Sequence, residues 1–429
     1  MFNLEFNTNN FVELLSKFIE HSYQLQNSDK HTPQESLIAN LVQTELQEHI
    51  DSGKITYRKF EYVENRPNIM LEYNLCTSDE RTICFGGSHF DVVPANPTEW
   101  KYDPFKLTVE NDNLYGRGTT DCLGHVALIT LLIKNLAERN IVLNYKFVVL
   151  FIADEEYGAD ENVGVLHVYK EGHLDFLKKG PFYWVDASDV VPVLACGTGF
   201  AWKLRVTGKK THTGFPLNGV NPLPIAFELS KMIIQKFGEL CPKSEKDDEY
   251  KFSTHSNMKP TLISCPESGI TQYYDYCEIF GDVRMTPFTD PYKLKIQLSE
   301  YVNSIDLNTI STVMETEYHP CFVTTASDGT QCTYKFEWIK EPYCGIAVDT
   351  NSDGFVNLMK ATTHHHDNCH FKSDLGAIPL VGQMQNAGFD IQMVGYGIGS
   401  VYHGNDEYCT ISGMKKGYEI LGMLLELSN

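Results

Sequence analysis

The most informative stretch of the chain reads F-V-V-L-F-I-A-D-E-E-Y-G, from Phe147 to Gly158. Residues 146–152 form a nearly continuous apolar run, which is typical of a strand buried on both faces of a sheet. Asp154, Glu155 and Glu156 follow directly. Acids at the carboxyl end of a buried strand are hard to explain by solubility, so they indicate a functional site. A solvated acidic loop is the alternative.

The segments on either side alternate between strand and helix patterns. This alternation predicts an α/β fold, with a largely parallel sheet flanked by helices. The pattern changes near residue 201 to one typical of a smaller α+β unit with an antiparallel sheet, and near residue 344 the first pattern resumes. The predicted strands are 68–73, 82–85, 146–152, 182–185, 201–206, 276–284, 312–318, 333–338 and 391–394. The predicted helices are 11–20, 32–49, 124–139, 222–237, 291–304, 353–361, 375–386 and 412–427, and 244–257 is a polar excursion or hairpin tip.

The length of 429 residues is too great for a single core and favours two domains. We predict a catalytic domain in two parts, residues 1–197 and 343–429. Between them, residues 198–342 form an inserted α+β domain.

Composition narrows the classes of function. The net charge of −21 argues against nucleic acid or an anionic membrane as a partner. We see no secretory signal and no apolar run long enough to span a membrane. The twelve cysteines contain no C-x-x-C pair and are interpreted as reduced, mostly buried thiols. The cytoplasm is therefore the expected compartment, and neither nucleic acid nor a membrane is an expected partner.

A second motif, G-G-S-H-F-D-V-V-P (Gly86 to Pro94), places a histidine and an acid at the end of another apolar strand. His89 and Asp91 are two residues apart, so their side chains share a face. A metal-bound imidazole usually donates its second N–H to a carboxylate, and Asp91 is within reach. The alternative is a core histidine next to a turn residue.

Further candidates lie at other junctions of the predicted sheet. Asp121 lies in G-R-G-T-T-D-C-L-G-H before a helix, where an ordinary N-cap is the alternative. Asp186 follows the strand ending Y-W-V, and His403 follows a glycine-rich segment. Ligands in α/β sheets collect beyond the carboxyl ends of the strands, so these side chains can converge. Histidine with several carboxylates is the donor set of a hydrolytic zinc site, in which one of the two adjacent glutamates ligates metal and the other faces water.

Two other features have simpler interpretations. The cluster H-H-H-D-N-C-H (His364 to His370) has no ordered ligand spacing and is interpreted as a surface loop. Glu407 is expected either to hold residues that bind the metal in place or to cap a helix.

These segments resemble the zinc amidohydrolases that include aminoacylase, carboxypeptidase G, succinyl-diaminopimelate desuccinylase and acetylornithine deacetylase. The resemblance covers nearly the whole chain and includes T-H-T-G-F-P-L-N-G-V-N-P (Thr211 to Pro222), G-D-V-R-M-T-P (Gly281 to Pro287) and G-F-D-I-Q-M-V-G-Y-G (Gly388 to Gly397). The runs D-V-V-P-A-N-P-T-E-W-K-Y-D-P-F and G-R-G-T-T-D-C-L-G-H-V-A-L look most like the eukaryotic, plant-type acetylornithine deacetylases.

The resemblance implies a dinuclear metal site with defined roles. Asp121 would bridge two ions, Glu155 would be the general base, and Asp91 would orient a ligand histidine. A cis peptide is implied at Asp121–Cys122, and many members carry Glu where this chain has Asp186. The remaining ligands would be His89 and Asp186 on one ion, and Glu156 and His403 on the other.

The resemblance also implies that the inserted domain, residues 198–342, serves as a lid and dimerisation domain. His212 would stabilise the oxyanion from the partner subunit of a homodimer, and a loop histidine without a role is the alternative. Arg284 suits a substrate α-carboxylate, although a structural ion pair is nearly as good an explanation.

The expected reaction is deacetylation of N²-acetyl-L-ornithine to L-ornithine and acetate, a step of arginine and ornithine biosynthesis. Another N-acyl-amino-acid amidohydrolase, a desuccinylase and a dipeptidase are the alternatives within the class. A metal-binding sensor is less consistent, because a sensor needs no Glu155. Zinc is the expected metal, and cobalt and manganese also suit the ligands.

Overall fold

A computed structural model of the chain describes residues 2–157, 163–267, 269–307, 309–310, 323–366 and 370–429. The predicted strand at 312–318 and Gly158 of the opening stretch lie outside the described residues. The chain divides into two compact units. The first comprises Met1–Leu194, Ala347–Lys372 and Pro379–Asn429, and the second comprises Ala195–Ile346 and Ser373–Ile378.

The strands are β1 (Ile55–Phe60), β2 (Asn68–Tyr73), β3 (Thr82–His89), β4 (Thr108–Glu110), β5 (Asn113–Tyr115), β6 (Lys146–Ile152), β7 (Pro181–Val185), β8 (Val193–Ala195), β9 (Thr198–Thr207), β10 (Asn257–Ser264), β11 (Tyr276–Met285), β12 (Thr333–Trp338), β13 (Lys372–Ser373), β14 (Asp390–Val394) and β15 (Tyr408–Thr410). The α-helices are α1 (Thr8–Ile19), α2 (Ser36–Asp51), α3 (Leu123–Glu138), α4 (Val165–Lys170), α5 (Pro222–Leu240), α6 (Glu245–Glu249), α7 (Pro291–Asn303), α8 (Asp353–His365), α9 (Val381–Asn386) and α10 (Ile411–Ser428).

The main sheet has eight strands in the order β1-β2-β6-β3-β7-β14-β8-β13. The four central strands, β6, β3, β7 and β14, are parallel to their neighbours in this group. Strands β1 and β2 pair antiparallel at one side, and β8 pairs antiparallel with β14. The predicted α/β fold with a mostly parallel sheet is confirmed, with antiparallel strands added outside its parallel centre. A separate three-stranded sheet has the order β15-β5-β4.

The apolar run in β6 is explained by burial on both faces of the sheet. Phe147, Val149 and Phe151 belong to the core that also contains apolar residues of α1, α2, α3 and α10. The alternate residues Val148 and Leu150 point to the opposite face and are also fully buried. A strand with no solvent-facing side carries no alternation, as the sequence of β6 shows.

Two glycines in β3 let aromatic rings lie against its backbone. A Cβ atom on Gly86 would come within 2.5 Å of the Phe182 ring, and one on Gly87 within 2.4 Å of the Trp184 ring. Gly87 also has φ +89°, a left-handed value that favours glycine. These glycines therefore fix the close approach of β3 and β7 just before β3 ends at His89.

The second unit contains an antiparallel sheet of order β10-β11-β9-β12, against which α5 and α7 pack. Alternate residues of β9, including Trp202 and Leu204, are buried in its core. Strand β10 lies at the edge of the sheet, and Leu262 and Ile263 in it are about half exposed.

Several elements differ from the predictions. The predicted helix 375–386 is helical only over Val381–Asn386, because Pro379 precedes it and Leu380 adopts a left-handed φ of +69°. The segment 244–257 is not a hairpin tip, since it contains α6, which begins with a capping box made by Ser244 and Asp247. Strands β1 and β10 were not predicted.

Among the described helices, none has the length and apolar character that crossing a bilayer requires. The ten cysteines within the described residues form no disulfide with one another, and seven of them are buried.

Candidate metal centre

The candidate ligands of the first unit gather where the parallel strands end. Strand β3 ends at His89 and lies between β6 and β7. The acids Asp154 to Glu156 follow β6, and Asp186 follows β7, so these groups share one edge of the sheet. Asp121 lies just before α3, and its peptide bond to Cys122 is cis.

Asp121 contacts two imidazoles, each with a different carboxylate oxygen. Its Oδ1 lies 2.9 Å from His89 Nε2, and its Oδ2 lies 3.1 Å from His403 Nε2. His403 Nε2 also lies 3.0 Å from Glu156 Oε2, and His89 Nε2 lies 3.9 Å from Asp186 Oδ1. The candidate ligands thus form two groups that share Asp121. His89 and Asp186 belong to one group, and His403 and Glu156 belong to the other.

The donor set fits divalent cations. Within the described residues, ligand atoms of His89, Asp121 and Glu156 lie within 4.8 Å of one another, as do those of His89, Cys122 and Asp186. Glu156 Oε1 and Asp186 Oδ1 are buried and have no hydrogen-bond partner. Buried acceptors without a donor are costly, and a bound cation would satisfy them.

Electrostatics at the site also favour added positive charge. Burial raises the pKa of Glu156 to about 8 and that of Asp186 to about 7, and it raises the pKa of Glu155 well above its ordinary value. Burial has the same tendency at Asp121, but hydrogen bonds with His403 and with the second imidazole outweigh it, so the pKa of Asp121 is lowered. Crowded carboxyls with raised pKa values are typical of a site that holds cations.

Asp91 holds the segment that carries Glu155 and Glu156, which we call the glutamate loop. Its Oδ1 accepts the backbone N–H of Glu155 at 3.1 Å, and its Oδ2 accepts that of Glu156 at 3.0 Å. His89 Nδ1 lies 2.9 Å from the main-chain oxygen of Asp91 and 3.3 Å from its carboxylate. Asp91 is thus placed to orient His89, mainly through its backbone, while its carboxylate fixes the glutamate loop.

Three buried polar residues that were not singled out in the sequence extend this network. Asn27 Nδ2 donates to Asp91 Oδ2 and to Asp154 Oδ1, both at 2.8 Å. Arg66 forms a bidentate pair with Glu35, both contacts at 2.8 Å, and also reaches Asp154 Oδ1 at 3.1 Å. Asp154 has a left-handed φ of +57°. These contacts hold the chain at the point where β6 turns into the glutamate loop.

Glu407 supports the segment that leads to Asp121, which agrees with the first of its two predicted roles. Its carboxylate accepts the backbone N–H groups of Gly118, Thr120 and Asp121 at 2.8 to 3.0 Å. Arg117 Nη1 donates to it at 2.7 Å, and both side chains are buried. Glu407 therefore fixes the turn that presents Asp121, and it does not cap a helix.

His212 and Arg284 belong to the second unit. His212 is exposed, and its Nδ1 accepts the backbone N–H of Gly214 at 3.0 Å. Arg284 Nε donates to Asp282 Oδ2 at 2.8 Å. The roles predicted for these two residues stay predictions.

The histidine cluster near residue 364 is not a loop throughout. Helix α8 continues to His365, so His364 and His365 occupy its last turn. His365 Nδ1 lies 3.6 Å from Glu419 Oε2, and residues 367–369 lie outside the described part of the chain.

Comparison with known proteins gives matches over nearly the whole chain. Acetylornithine deacetylase from Arabidopsis thaliana is 36% identical over 414 residues, covering 96% of this chain and 93% of that protein. Acetylornithine deacetylase from Dictyostelium discoideum is 34% identical over 445 residues, covering 99% and 97%.

Solved structures share the fold at low sequence identity. Human carnosine dipeptidase 1 matches with a TM-score of 0.70 and 15% identity, covering 98% of this chain and 97% of that one. A dinuclear metal binding peptidase of the M20 family from Bacillus subtilis matches with a TM-score of 0.57 and 13% identity, covering 98% of each chain. The sequence profile of peptidase family M20/M25/M40 matches residues 86–427. The chain therefore belongs to peptidase family M20/M25/M40, a family of metal-dependent hydrolases.

Proposed function

We propose that this chain removes the acetyl group from N²-acetyl-L-ornithine, giving L-ornithine and acetate. The observation that carries the reaction class is the carboxylate of Asp121, which meets His89 Nε2 and His403 Nε2 with different oxygens. The choice of substrate is supported by the similarity to two acetylornithine deacetylases over nearly the full chain.

The site would hold two divalent cations that share Asp121. His89 and Asp186 would complete the ligands of one cation, and Glu156 and His403 those of the other. Zinc suits this combination of imidazole and carboxylate donors. When bound, the cations would polarise the amide carbonyl and lower the pKa of the attacking water.

Glu155 would serve as general base and then as general acid. Its side chain is largely buried, and its Oε2 lies 4.0 Å from His89 Nε2, at the edge of the ligand cluster. Because burial raises its pKa, the carboxylate is suited to take a proton from water and to release it to the leaving amine. Asp91 would act as a positioning residue, because it holds the backbone of Glu155 in place.

Further proposals concern residues of the second unit, the oligomeric state and the cellular compartment. Arg284 would bind the substrate α-carboxylate, and His212 would stabilise the oxyanion in a homodimer. The exposed apolar residues Leu262 and Ile263 on edge strand β10 support a dimer through this unit, because an open edge can pair with a second copy. The free cysteines are consistent with a reducing compartment such as the cytoplasm.

A substrate panel tests the proposal. Acetyl-ornithine, acetyl-methionine, succinyl-diaminopimelate and a dipeptide are incubated separately with zinc-loaded, cobalt-loaded and chelated protein. We expect release of acetate from acetyl-ornithine at the highest kcat/KM, and no turnover after chelation. A higher kcat/KM for another acyl group or for the dipeptide would refute the substrate assignment. Equal activity in the chelated protein would refute the metal-dependent mechanism.

A further inference from the structure

Cys122 lies inside the ligand cluster, although no role was assigned to it from the sequence. It follows Asp121 directly, is fully buried, and precedes helix α3. Its Sγ accepts the backbone N–H of His89 at 3.3 Å. This hydrogen bond fixes the sulfur beside His89, while burial raises the pKa of the Cys122 thiol well above its ordinary value.

The distances around this sulfur suit a shared cation. Cys122 Sγ, a ring nitrogen of His89 and a carboxylate oxygen of Asp186 lie within 4.8 Å of one another. With Zn–S near 2.3 Å and Zn–N near 2.1 Å, two tetrahedral ligand atoms are separated by about 3.6 Å. Small side-chain adjustments would therefore bring all three atoms into one coordination sphere. Asp186 also carries Oδ1, the buried oxygen without a hydrogen-bond partner that a cation at this site would satisfy.

We propose that the sulfur of Cys122 is an additional ligand of the cation held by His89 and Asp186. The thiol proton would pass to solvent when the cation binds, as in other metal–thiolate sites. This inference rests on the proposed metal centre and is independent of which N-acyl amino acid the enzyme hydrolyses.

A comparison with a neighbouring cysteine shows why Cys122 is singled out. Cys84, on β3, is equally buried, but no ligand cluster within the described residues contains it. Burial alone is common for cysteine and indicates nothing about metal. The distinguishing feature of Cys122 is its closeness to an imidazole and an unpartnered carboxylate oxygen.

A sulfur ligand would also bias the choice of metal. Thiolate is a soft donor that favours zinc, whereas manganese favours oxygen donors. A site of imidazole and carboxylates alone discriminates less between these ions. Cys122 would therefore make the His89 site more selective for zinc than the site built on Glu156 and His403.

Cobalt spectroscopy tests this ligand directly. The full-length protein is stripped with a chelator and reloaded with Co²⁺, and spectra are recorded for the wild type and for Cys122→Ser, Cys122→Ala and Cys84→Ala. We expect a near-ultraviolet sulfur-to-cobalt charge-transfer band in the wild type and in Cys84→Ala, and its loss in both Cys122 variants. In zinc–manganese competition followed by metal analysis, the preference of the Cys122 variants for zinc should fall by about tenfold or more.

The outcomes separate this proposal from the one on which it rests. Visible d–d bands without a charge-transfer band in the wild type would overturn the sulfur ligand and leave the metal centre intact. A charge-transfer band that persists in Cys122→Ser would also overturn it. Failure of the wild type to bind cobalt would overturn both proposals. Absence of the charge-transfer band from the wild type refutes the sulfur ligand whether or not the variants fold, and cobalt d–d bands retained by Cys122→Ser show that this variant still binds the metal.

Discussion

Asn27→Ala is the sharpest test of the network behind the glutamate loop. The substitution removes one amide group that donates to Asp91 Oδ2 and Asp154 Oδ1, each at 2.8 Å, in a buried position. Hydrogen bonds to charged groups contribute roughly 1.5–3 kcal/mol each. Each oxygen keeps a second donor, from the backbone of Glu156 and from Arg66 respectively, so we take the lower part of the summed range. We expect a loss of about 3–4 kcal/mol in the free energy of unfolding.

Asn74→Ala is a matched control for this measurement. Asn74 Nδ2 also donates two hydrogen bonds, to Gly53 O and Thr56 Oγ1, but the residue is exposed and water can replace them. We expect a cost below about 1 kcal/mol. Urea unfolding of the chelated proteins measures both values without any contribution from bound metal.

Metal affinity provides the second readout of Asn27→Ala. Because Asp91 would hold the glutamate loop less firmly, zinc should bind about 10 to 100 times more weakly than to the wild type, while Asn74→Ala should bind as the wild type does. Unfolding free energies and zinc affinities that are the same for Asn27→Ala and Asn74→Ala would refute the role assigned to this network.

Other predictions follow from the same geometry. Glu155→Gln should retain metal but lose about 10²–10⁴ in kcat, and near-normal turnover would remove Glu155 from the role of general base. Gly87→Ala should lower the free energy of unfolding by more than about 3 kcal/mol, because the indole ring of Trp184 occupies the space that Cβ would need. Gly53→Ala should lower it by only about 1 kcal/mol, because nothing lies within 4 Å of its Cβ position. Denaturant titration measures both values. Since the pKa values of Glu156 and Asp186 are raised to about 8 and about 7, protons compete with metal near neutral pH. Zinc affinity, measured by calorimetry, should therefore rise from pH 6 to pH 7, by about tenfold for each proton displaced, and equal affinities would contradict this.

His89, Asp186 and the two glutamates could be found from sequence because they end or closely follow apolar strands. His89 ends a buried strand, and Glu155 and Glu156 follow the most hydrophobic one, so their positions are conspicuous without a structure. The order of the parallel strands then brings them together.

The supporting residues could not be found in the same way. Asn27, Glu35 and Arg66 are single polar residues, and Asn27 contacts a carboxylate 127 positions further along the chain. No local pattern encodes such a contact. Glu35 lies next to an amphipathic helix and looks like an ordinary surface acid, yet it is fully buried by its pairing with Arg66.

Edge strands were missed for a related reason. Strand β10 is mostly exposed and contains Pro260, so it lacks both the alternation and the apolar content on which strand prediction depends. Its place at the edge is set by pairing with β11, which is a long-range contact.

The hydrogen bonds from two successive backbone N–H groups to the carboxylate of Asp91 have a practical consequence for engineering. Because Asp91 holds the backbone amides of Glu155 and Glu156, the path of the peptide through this turn depends little on which side chains it carries. Other side chains can therefore be placed at positions 155 and 156 while the backbone of the turn keeps its path. Substitutions there should report on reactivity and ion binding alone, and a library restricted to residues 155 and 156 should consist largely of folded proteins.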